Sequence, residues 1–208
     1  MRMLMTAGLA AGLGCGPATA QIGLAPTDNF EQCRRPESMA ESRLKFCSAV
    51  IEDRSRIPQV RAEAFLNRGM AYEDLNDLDA AIADYSEGLK LNSNHRALYN
   101  RRGLVYDLKG RRDLAIADFS QVIRIDPKDT EALIYRGLAY AAEGDHTRAI
   151  LDYDAALSEE PDNALLLVIR GESREAAGDR GRAMEDYRKA LDLDPGNEAA
   201  EEGLARLK

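Results

Sequence analysis

Apolar side chains recur along much of the chain at the spacing of amphipathic α-helices. In the middle of the sequence, this spacing predicts one helix over about Arg96 to Lys109 and a second over about Arg112 to Ile125. Gly110 separates the two predicted helices, and Pro127 ends the second. The apolar positions that carry the pattern are Leu104, Leu108, Ile116, Phe119 and Ile123. The pattern therefore predicts a pair of helices joined by a short turn.

Helix pairs of this kind return every 34 residues. The dipeptide Arg-Gly recurs at this interval, and an alanine, an aspartate and an aromatic residue return with it. The repeated positions include Gly69, Gly103, Gly137 and Gly171; Tyr72, Tyr106 and Tyr140; Ala81, Ala115, Ala149 and Ala183; and Tyr85, Phe119, Tyr153 and Tyr187. One period kept through several columns indicates an array of similar structural units.

Start and stop signals fall at the same places in successive units. Asp and Asn side chains precede the predicted helices, where their oxygens can accept hydrogen bonds from free backbone amides. These residues are Asp129, Asn163 and Asn197 before first helices, and Asp77, Asp145 and Asp179 before second helices. Pro127, Pro161 and Pro195 follow second helices, and Gly110, Gly144 and Gly178 stand between the two helices of a unit.

The repeated sequence resembles the tetratricopeptide repeat (TPR) family, whose pattern is W-x2-L-G-x2-Y, then A-x3-F, then P. The resemblance covers Ala62 to Asn197, which is four units. It implies an all-α fold, a right-handed α-solenoid of helix-turn-helix units. The chain departs from the family pattern in every unit, because arginine replaces leucine and the tryptophan column holds Phe65, Tyr99, Leu133 and Leu167. In single units, Arg174 replaces the tyrosine and Ser93 the proline.

The period divides the chain into segments. The four predicted units are residues 62–95, 96–129, 130–163 and 164–197, and residues 198–208 resemble a C-terminal capping helix. Residues 38–61 hold one helical pattern followed by a turn at Ile57-Pro58, which predicts an N-terminal capping helix and linker resembling half a repeat. Residues 21–37 are expected to form a flexible segment.

Residues 1–20 have the features of a secretory signal peptide. Arg2 precedes an apolar run that is too short to span a membrane, and Ala18-Thr19-Ala20 is an A-x-A cleavage motif. We therefore expect an exported, periplasmic protein that begins at Gln21 after cleavage, with no membrane span. A lipid anchor at Cys15 is the alternative.

Removal of the signal would leave Cys33 and Cys47, which are fourteen residues apart. A single pair of cysteines in an exported protein predicts a disulfide bond. Two buried free thiols are the alternative. A redox-active pair is not indicated, because C-x-x-C spacing is absent.

Arginine and aspartate return together in every unit. The arginine lies about two turns before the bend of the helix pair and the aspartate about two turns after it, so the two should be neighbours in antiparallel helices. The predicted pairs are Arg68 with Asp84, Arg102 with Asp118, Arg136 with Asp152, and Arg170 with Asp186. The structural interpretation is a ladder of ion pairs, and the functional alternative is a row of arginines that receives a ligand carboxylate.

Composition and motifs exclude several classes of function. The net charge is −8, from 28 Lys plus Arg against 36 Asp plus Glu, and no clustered basic face is indicated, so nucleic acid is not an expected partner. The sequence has only two histidines and contains no P-loop, G-x-S-x-G, H-E-x-x-H or paired cysteine ligands. We therefore expect no enzymatic activity, no metal site and no cofactor.

The TPR resemblance implies that the first helix of each unit lines an inner groove. The predicted groove residues are Leu66, Met70 and Glu73; Asn100, Leu104 and Asp107; Ile134 and Leu138; and Val168 and Glu172. Their mixture of apolar and acidic side chains predicts a surface for an extended or helical peptide with apolar anchors and some positive charge. The alternative is that Leu104, Ile134 and Leu138 only pack between neighbouring units.

The predicted function is a non-catalytic scaffold that binds a peptide or partner protein, as expected from the resemblance to small exported bacterial TPR proteins. Two alternatives stay open. One is an accessory subunit that positions or regulates a cell-wall hydrolase. The other is a self-associating structural protein, and the sequence leaves the oligomeric state open.

Overall fold

The computed structural model describes residues 28–35 and 39–207. The regular structure in this part of the chain is entirely helical: α1 (Asn29–Cys33), α2 (Ala40–Glu52), α3 (Pro58–Asp74), α4 (Leu78–Leu91), α5 (Arg96–Leu108), α6 (Arg112–Ile125), α7 (Thr130–Ala142), α8 (His146–Glu159), α9 (Ala164–Ala176), α10 (Arg180–Leu193) and α11 (Glu198–Leu207). The predicted signal peptide and Cys15 lie outside the described residues.

The helices pack as successive hairpins, which makes the fold an all-α solenoid. The pairs α3 with α4, α5 with α6, α7 with α8, and α9 with α10 form the four units, and each pair packs against the next. The first helices α3, α5 and α7 also contact one another in order, so they line one side of the array. Helix α11 packs against α10 and α9 at the C-terminal end.

Close approach of the two helices in a unit depends on a glycine facing an aromatic ring. A Cβ atom built on Gly103 would lie 2.8 Å from the Phe119 ring, which is too close for two carbon atoms. The other pairs of this kind are Gly69 with Tyr85, Gly137 with Tyr153, and Gly171 with Tyr187. These rings are at most 1% exposed, so they fill the centre of each unit.

The turn inside each unit needs a residue in the left-handed region of backbone conformation. The residues at this position are Asn76 (φ 58°), Gly110 (φ 72°), Gly144 (φ 82°) and Gly178 (φ 84°). The following amide then bonds back to the last helical turn, as from Arg111 N to Tyr106 O at 2.8 Å. Glycine serves here because it has no Cβ to clash at positive φ.

The N-terminal region differs from the prediction. Asn29–Cys33 is helical, so the expectation of a flexible segment over residues 21–37 was wrong for these five residues. Asp28 accepts a hydrogen bond from Phe30 N at 3.2 Å, and a disulfide bond between Cys33 and Cys47 holds α1 against α2. The N-terminal cap is therefore a short helix pair rather than half a repeat.

Helix α3 extends ahead of the first predicted unit, residues 62–95. It begins at Pro58, ahead of Ala62, so the predicted linker is reduced to residues 53–57. Proline is well suited to the first helical position, because its fixed φ matches the helix and the amide it lacks would have no partner there. The residues Ile57-Pro58, which the sequence predicts to form a turn, thus mark the start of α3.

Candidate functional site

The arginine and aspartate columns form the polar interior of each unit. In all four units, arginine Nε and Nη2 donate to the two carboxylate oxygens of the aspartate, over 2.5–3.0 Å. The pairs are Arg68–Asp84, Arg102–Asp118, Arg136–Asp152 and Arg170–Asp186. The aspartates are only 3–6% exposed. Such two-pronged charged hydrogen bonds are among the strongest that proteins form.

The third guanidinium nitrogen joins neighbouring units. Arg102 Nη1 donates to Ser86 Oγ on α4 at 2.9 Å, and Arg136 Nη1 donates to Ser120 Oγ on α6 at 3.0 Å. These nitrogens bind groups of the chain itself. The arginine row is therefore part of the framework and is not presented to a ligand carboxylate.

The last unit adds a second guanidinium to this network. Arg174 stands where the other units have tyrosine, and its Nη1 donates to Asp186 Oδ2 at 2.7 Å. Arg170 and Arg174 both also bind Asp154 on α8, at 2.6 and 3.3 Å. The departure from the family pattern at this position thus gives two arginines shared between two aspartates.

The predicted groove residues lie on the first helices but differ in exposure. Leu138 is 42% exposed, and Glu172 is also exposed. Leu66 and Val168 are only 7% and 3% exposed because they pack in the core, so the expectation that they present apolar surface to a partner was wrong. Leu108, which the sequence assigned to the packed apolar stripe, is 71% exposed. The half-buried groove residues are Met70, Glu73, Asn100, Leu104, Asp107 and Ile134.

A cleft of about 240 Å³ opens between α5 and α7 on this side of the solenoid. Its lining residues are Ala97, Asn100, Arg101, Leu104, Glu131 and Tyr135. The Tyr135 ring is fixed by stacking on Phe119, with ring centroids 5.6 Å apart and 29° between the planes. The cleft therefore combines an apolar wall with both donors and acceptors of hydrogen bonds.

Some charged side chains around the cleft lie close to an opposite charge, and others do not. Glu73 accepts a hydrogen bond from the Tyr85 hydroxyl, and Arg101 Nη1 lies 3.7 Å from Glu73 Oε2. Burial, and after it the Glu131 carboxylate, raise the pKa of Tyr135. Glu131 is exposed, and no basic side chain of the described residues forms an ion pair with it. Glu131 therefore has a hydrogen bond with the Tyr135 hydroxyl but carries a charge that no ion pair among the described residues offsets.

The groove prediction missed four residues of this cleft: Ala97, Arg101, Glu131 and Tyr135. Each lies on a first helix, next to or one turn away from a predicted groove column. A wider set of columns on each first helix would have found them. Of the predicted groove residues, Asn100 and Leu104 line the cleft, whereas Glu172 lies two units away from α5.

The described residues hold neither a group of three metal-ligating side chains nor a helix long and apolar enough to cross a bilayer.

Comparison with known sequences shows the family. Two sequence models, each described as tetratricopeptide repeat, match the chain, one over residues 62–95 and the other over residues 103–164 and 135–198. The chain therefore belongs to the tetratricopeptide repeat family, as its repeat pattern and its stacked helix hairpins indicate. A comparison with curated proteins gave no match.

Solved structures share the fold at low sequence identity. The crystal structure of MamA is 22% identical with a TM-score of 0.69, over 75% of this chain and 89% of that one. YrrB, described as a TPR protein with an unusual peptide-binding site, is 23% identical with a TM-score of 0.68, over 78% and 82%. The second TPR domain of human RPAP3, solved in complex with the HSP70 peptide SGPTIEEVD, is 24% identical with a TM-score of 0.50, over 52% and 91%.

Proposed function

We propose that this protein is a non-catalytic scaffold that binds a polypeptide segment along the groove formed by α3, α5, α7 and α9. The observation that carries the proposal is the cleft between α5 and α7, where the apolar surfaces of Leu104 and Tyr135 lie beside the exposed carboxylate of Glu131. Surfaces that bind peptides combine apolar pockets with a few placed polar groups in this way.

The charges of the groove define the chemistry of the partner. Glu131 and Glu172 are exposed on first helices, and the chain as a whole carries a net charge of −8. Arg101 also lines the cleft, and its guanidinium lies 3.7 Å from Glu73 Oε2, so that carboxylate offsets part of its charge. A segment with apolar anchors and basic residues would complement this surface.

Two of the similar structures support a peptide as the occupant. YrrB is described as having a peptide-binding site, and the RPAP3 domain was solved with a bound peptide. That peptide, SGPTIEEVD, has three acidic residues among its last four. The groove of this chain is itself acidic, so we expect it to select a segment of the opposite charge.

A library selection on the full chain tests the proposal. Random peptides are displayed and selected for binding, and the affinity of the enriched sequences is measured by fluorescence anisotropy. Leu138→Glu on α7 should weaken binding by at least tenfold, because it places a charge on exposed apolar groove surface.

The matched control is Leu151→Glu. Leu151 is 63% exposed, but it lies on the second helix α8, so this change should leave the affinity within about twofold. Equal losses in both variants, or enrichment of no peptide at all, would contradict binding in the groove.

We also propose that the protein is exported to the periplasm. The support is the predicted signal peptide over residues 1–20, together with the disulfide bond between Cys33 and Cys47, since disulfides form and persist in oxidising compartments. Cell fractionation with N-terminal sequencing tests this, and a mature chain beginning at Gln21 is expected. A modified Cys15 at the membrane would indicate a lipid anchor instead, and an uncleaved cytoplasmic chain would contradict export.

A further inference from the structure

One column of the first helices is apolar in three units and polar in one. Leu66, Ile134 and Val168 occupy it in the first, third and fourth units, and Asn100 occupies it in the second. Leu66 and Val168 are buried and Ile134, like Asn100, is half-buried, so an apolar side chain meets the packing needs of this position at either degree of burial. Packing alone therefore gives no reason for an asparagine there.

The side-chain oxygen of Asn100 is also unsatisfied. Asn100 Oδ1 is buried and has no hydrogen-bond partner. A buried acceptor without a donor destabilises the folded chain, and native structures keep few such groups. A ligand that brings an N–H group to this oxygen would remove the penalty.

Asn100 lies where two clefts meet. Besides the cleft between α5 and α7, a second one of about 530 Å³ opens at the start of α5, and the two share Ala97, Asn100 and Glu131. Asp129 also lines the second cleft, but it is already bound by Arg96 at 3.0 Å. In the shared region a ligand thus meets the unsatisfied Asn100 oxygen and the exposed Glu131 carboxylate, which also has a hydrogen bond with the Tyr135 hydroxyl.

The geometry points to a basic side chain as the group that fills this region. We infer that a lysine or arginine of the bound polypeptide places its cationic N–H groups against Asn100 Oδ1 and the Glu131 carboxylate. Its aliphatic stem then lies on the apolar surface of Leu104 and the Tyr135 ring, as long basic side chains do on apolar surfaces. This inference rests on the proposed function, because the side chain belongs to the segment bound in the groove.

Small probes test the site without any selected peptide. The isotope-labelled full chain is titrated with Nα-acetyl-arginine methylamide, Nα-acetyl-lysine methylamide and the uncharged analogue Nα-acetyl-norleucine methylamide, and amide chemical shifts are followed. We expect saturable shifts at Asn100, Glu131 and Tyr135 with the two basic probes only. Glu131→Gln should weaken their binding about tenfold, because a charged hydrogen bond is lost. Equal shifts with the norleucine probe would overturn the inference.

Glu185→Gln is the matched control, since Glu185 is an exposed acid on the second helix α10, outside the groove. It should leave the binding of the basic probes unchanged. An effect as large as that of Glu131→Gln would show that net charge, not this site, attracts the probes, and would overturn the inference.

Asn100→Leu separates recognition from packing. Leucine occupies the same column at Leu66, so the variant should fold, and its thermal midpoint should rise by about 2–4 °C when the unsatisfied oxygen is removed. Affinity for the basic probes should fall several-fold. A lower midpoint with unchanged affinity would show that Asn100 serves packing alone and would overturn the inference.

These outcomes distinguish the inference from the proposed function. If library peptides bind the groove without preference for basic residues and Asn100→Leu leaves their affinity unchanged, the inference fails and the proposed function stands. If the basic probes bind this site while no library peptide is enriched, the site stands and the proposed groove function fails.

Discussion

At the scale of single residues, stability depends on buried charges that are fully bonded. Asp118 is 4% exposed and accepts two hydrogen bonds from Arg102, whose remaining nitrogen binds Ser86. Exposed ion pairs such as Lys90 with Glu87 contribute little to stability by comparison, because solvent screens their charges. Loss of one buried aspartate would leave a buried guanidinium without its partner.

Asp118→Ala should therefore lower the free energy of unfolding by about 3 kcal/mol, measured by urea denaturation. The control Asp113→Ala removes an exposed aspartate from the first turn of the same helix, and a loss below about 1 kcal/mol is expected there. An Asp118→Ala variant as stable as the parent chain would show that the arginine–aspartate ladder does not hold the units together.

The buried tyrosines predict loss of stability at alkaline pH. Burial raises the pKa of Tyr85, Tyr153 and Tyr187 above the usual value of 10. Below that value both states keep the phenolic proton, whereas above it only the unfolded chain releases it. Stability should therefore be constant up to about pH 10 and should fall as the pH rises further.

Urea midpoints measured at about pH 9 and pH 11 check this expectation. A variant with all three tyrosines changed to phenylalanine, the residue that the second unit already has at Phe119, should lose less stability between these pH values. The same fall in both proteins would mean that other groups cause the alkaline unfolding.

At the scale of the elements, each helix pair is set by its turn. Asn76 has φ 58° where the other units have glycine, and a Cβ on Gly110 would meet nothing within 4 Å. Any effect of substitution at these positions is thus conformational and not steric. Asparagine tolerates the left-handed region better than most residues do. Glycine adopts it without steric cost because it has no Cβ atom.

Asn76→Gly should stabilise the chain by about 0.5–1 kcal/mol, and Gly110→Ala should destabilise it by about 1–2 kcal/mol. Thermal unfolding of the two variants beside the parent chain gives both values. Changes of the same sign would contradict a left-handed requirement at this position of the turn.

The ends of most helices could be predicted from the sequence. The second unit was predicted at Arg112 to Ile125 for its second helix, and α6 has these bounds. Capping residues and turn glycines act through hydrogen bonds of the nearby backbone. Each can therefore be recognised from the sequence of a single unit. Helix α1 was missed because its five residues are held by a disulfide and by packing on α2, which are contacts distant in sequence.

At the scale of the whole molecule, each unit contacts mainly the units next to it. A substitution in one unit should therefore affect the stability of that unit and its neighbours most. Cys33 and Cys47 are fully buried in a cluster with Phe65 of the first unit, at the N-terminal end of the array. Their disulfide closes a loop of fourteen residues. Opening the bond should therefore affect the cap and the first unit more than the last.

Reduction, or the double variant Cys33→Ser and Cys47→Ser, should cost about 3 kcal/mol in the chain-entropy account. Hydrogen exchange should become faster in α1, α2 and α3 and stay unchanged in α8, α9 and α10. Faster exchange along the whole chain would contradict unit-by-unit stability.

The groove was harder to predict than the fold. The 34-residue period gives the position of each residue on its helix. The exposed fraction of its side chain, however, depends on how neighbouring units stack. Leu66 and Val168 are buried for this reason, while Leu138 in the third unit is 42% exposed. The unsatisfied oxygen of Asn100 is likewise a property of three-dimensional packing, although its place in an otherwise apolar column is visible in the sequence.

The central claim is that the side lined by first helices binds a polypeptide. The most direct test is an NMR titration of the isotope-labelled chain with a peptide selected from the library. The account predicts amide shifts concentrated on α5 and α7, with Leu104, Glu131 and Leu138 among them, and few shifts on α6 and α8. Shifts concentrated on α6 and α8 instead would contradict it.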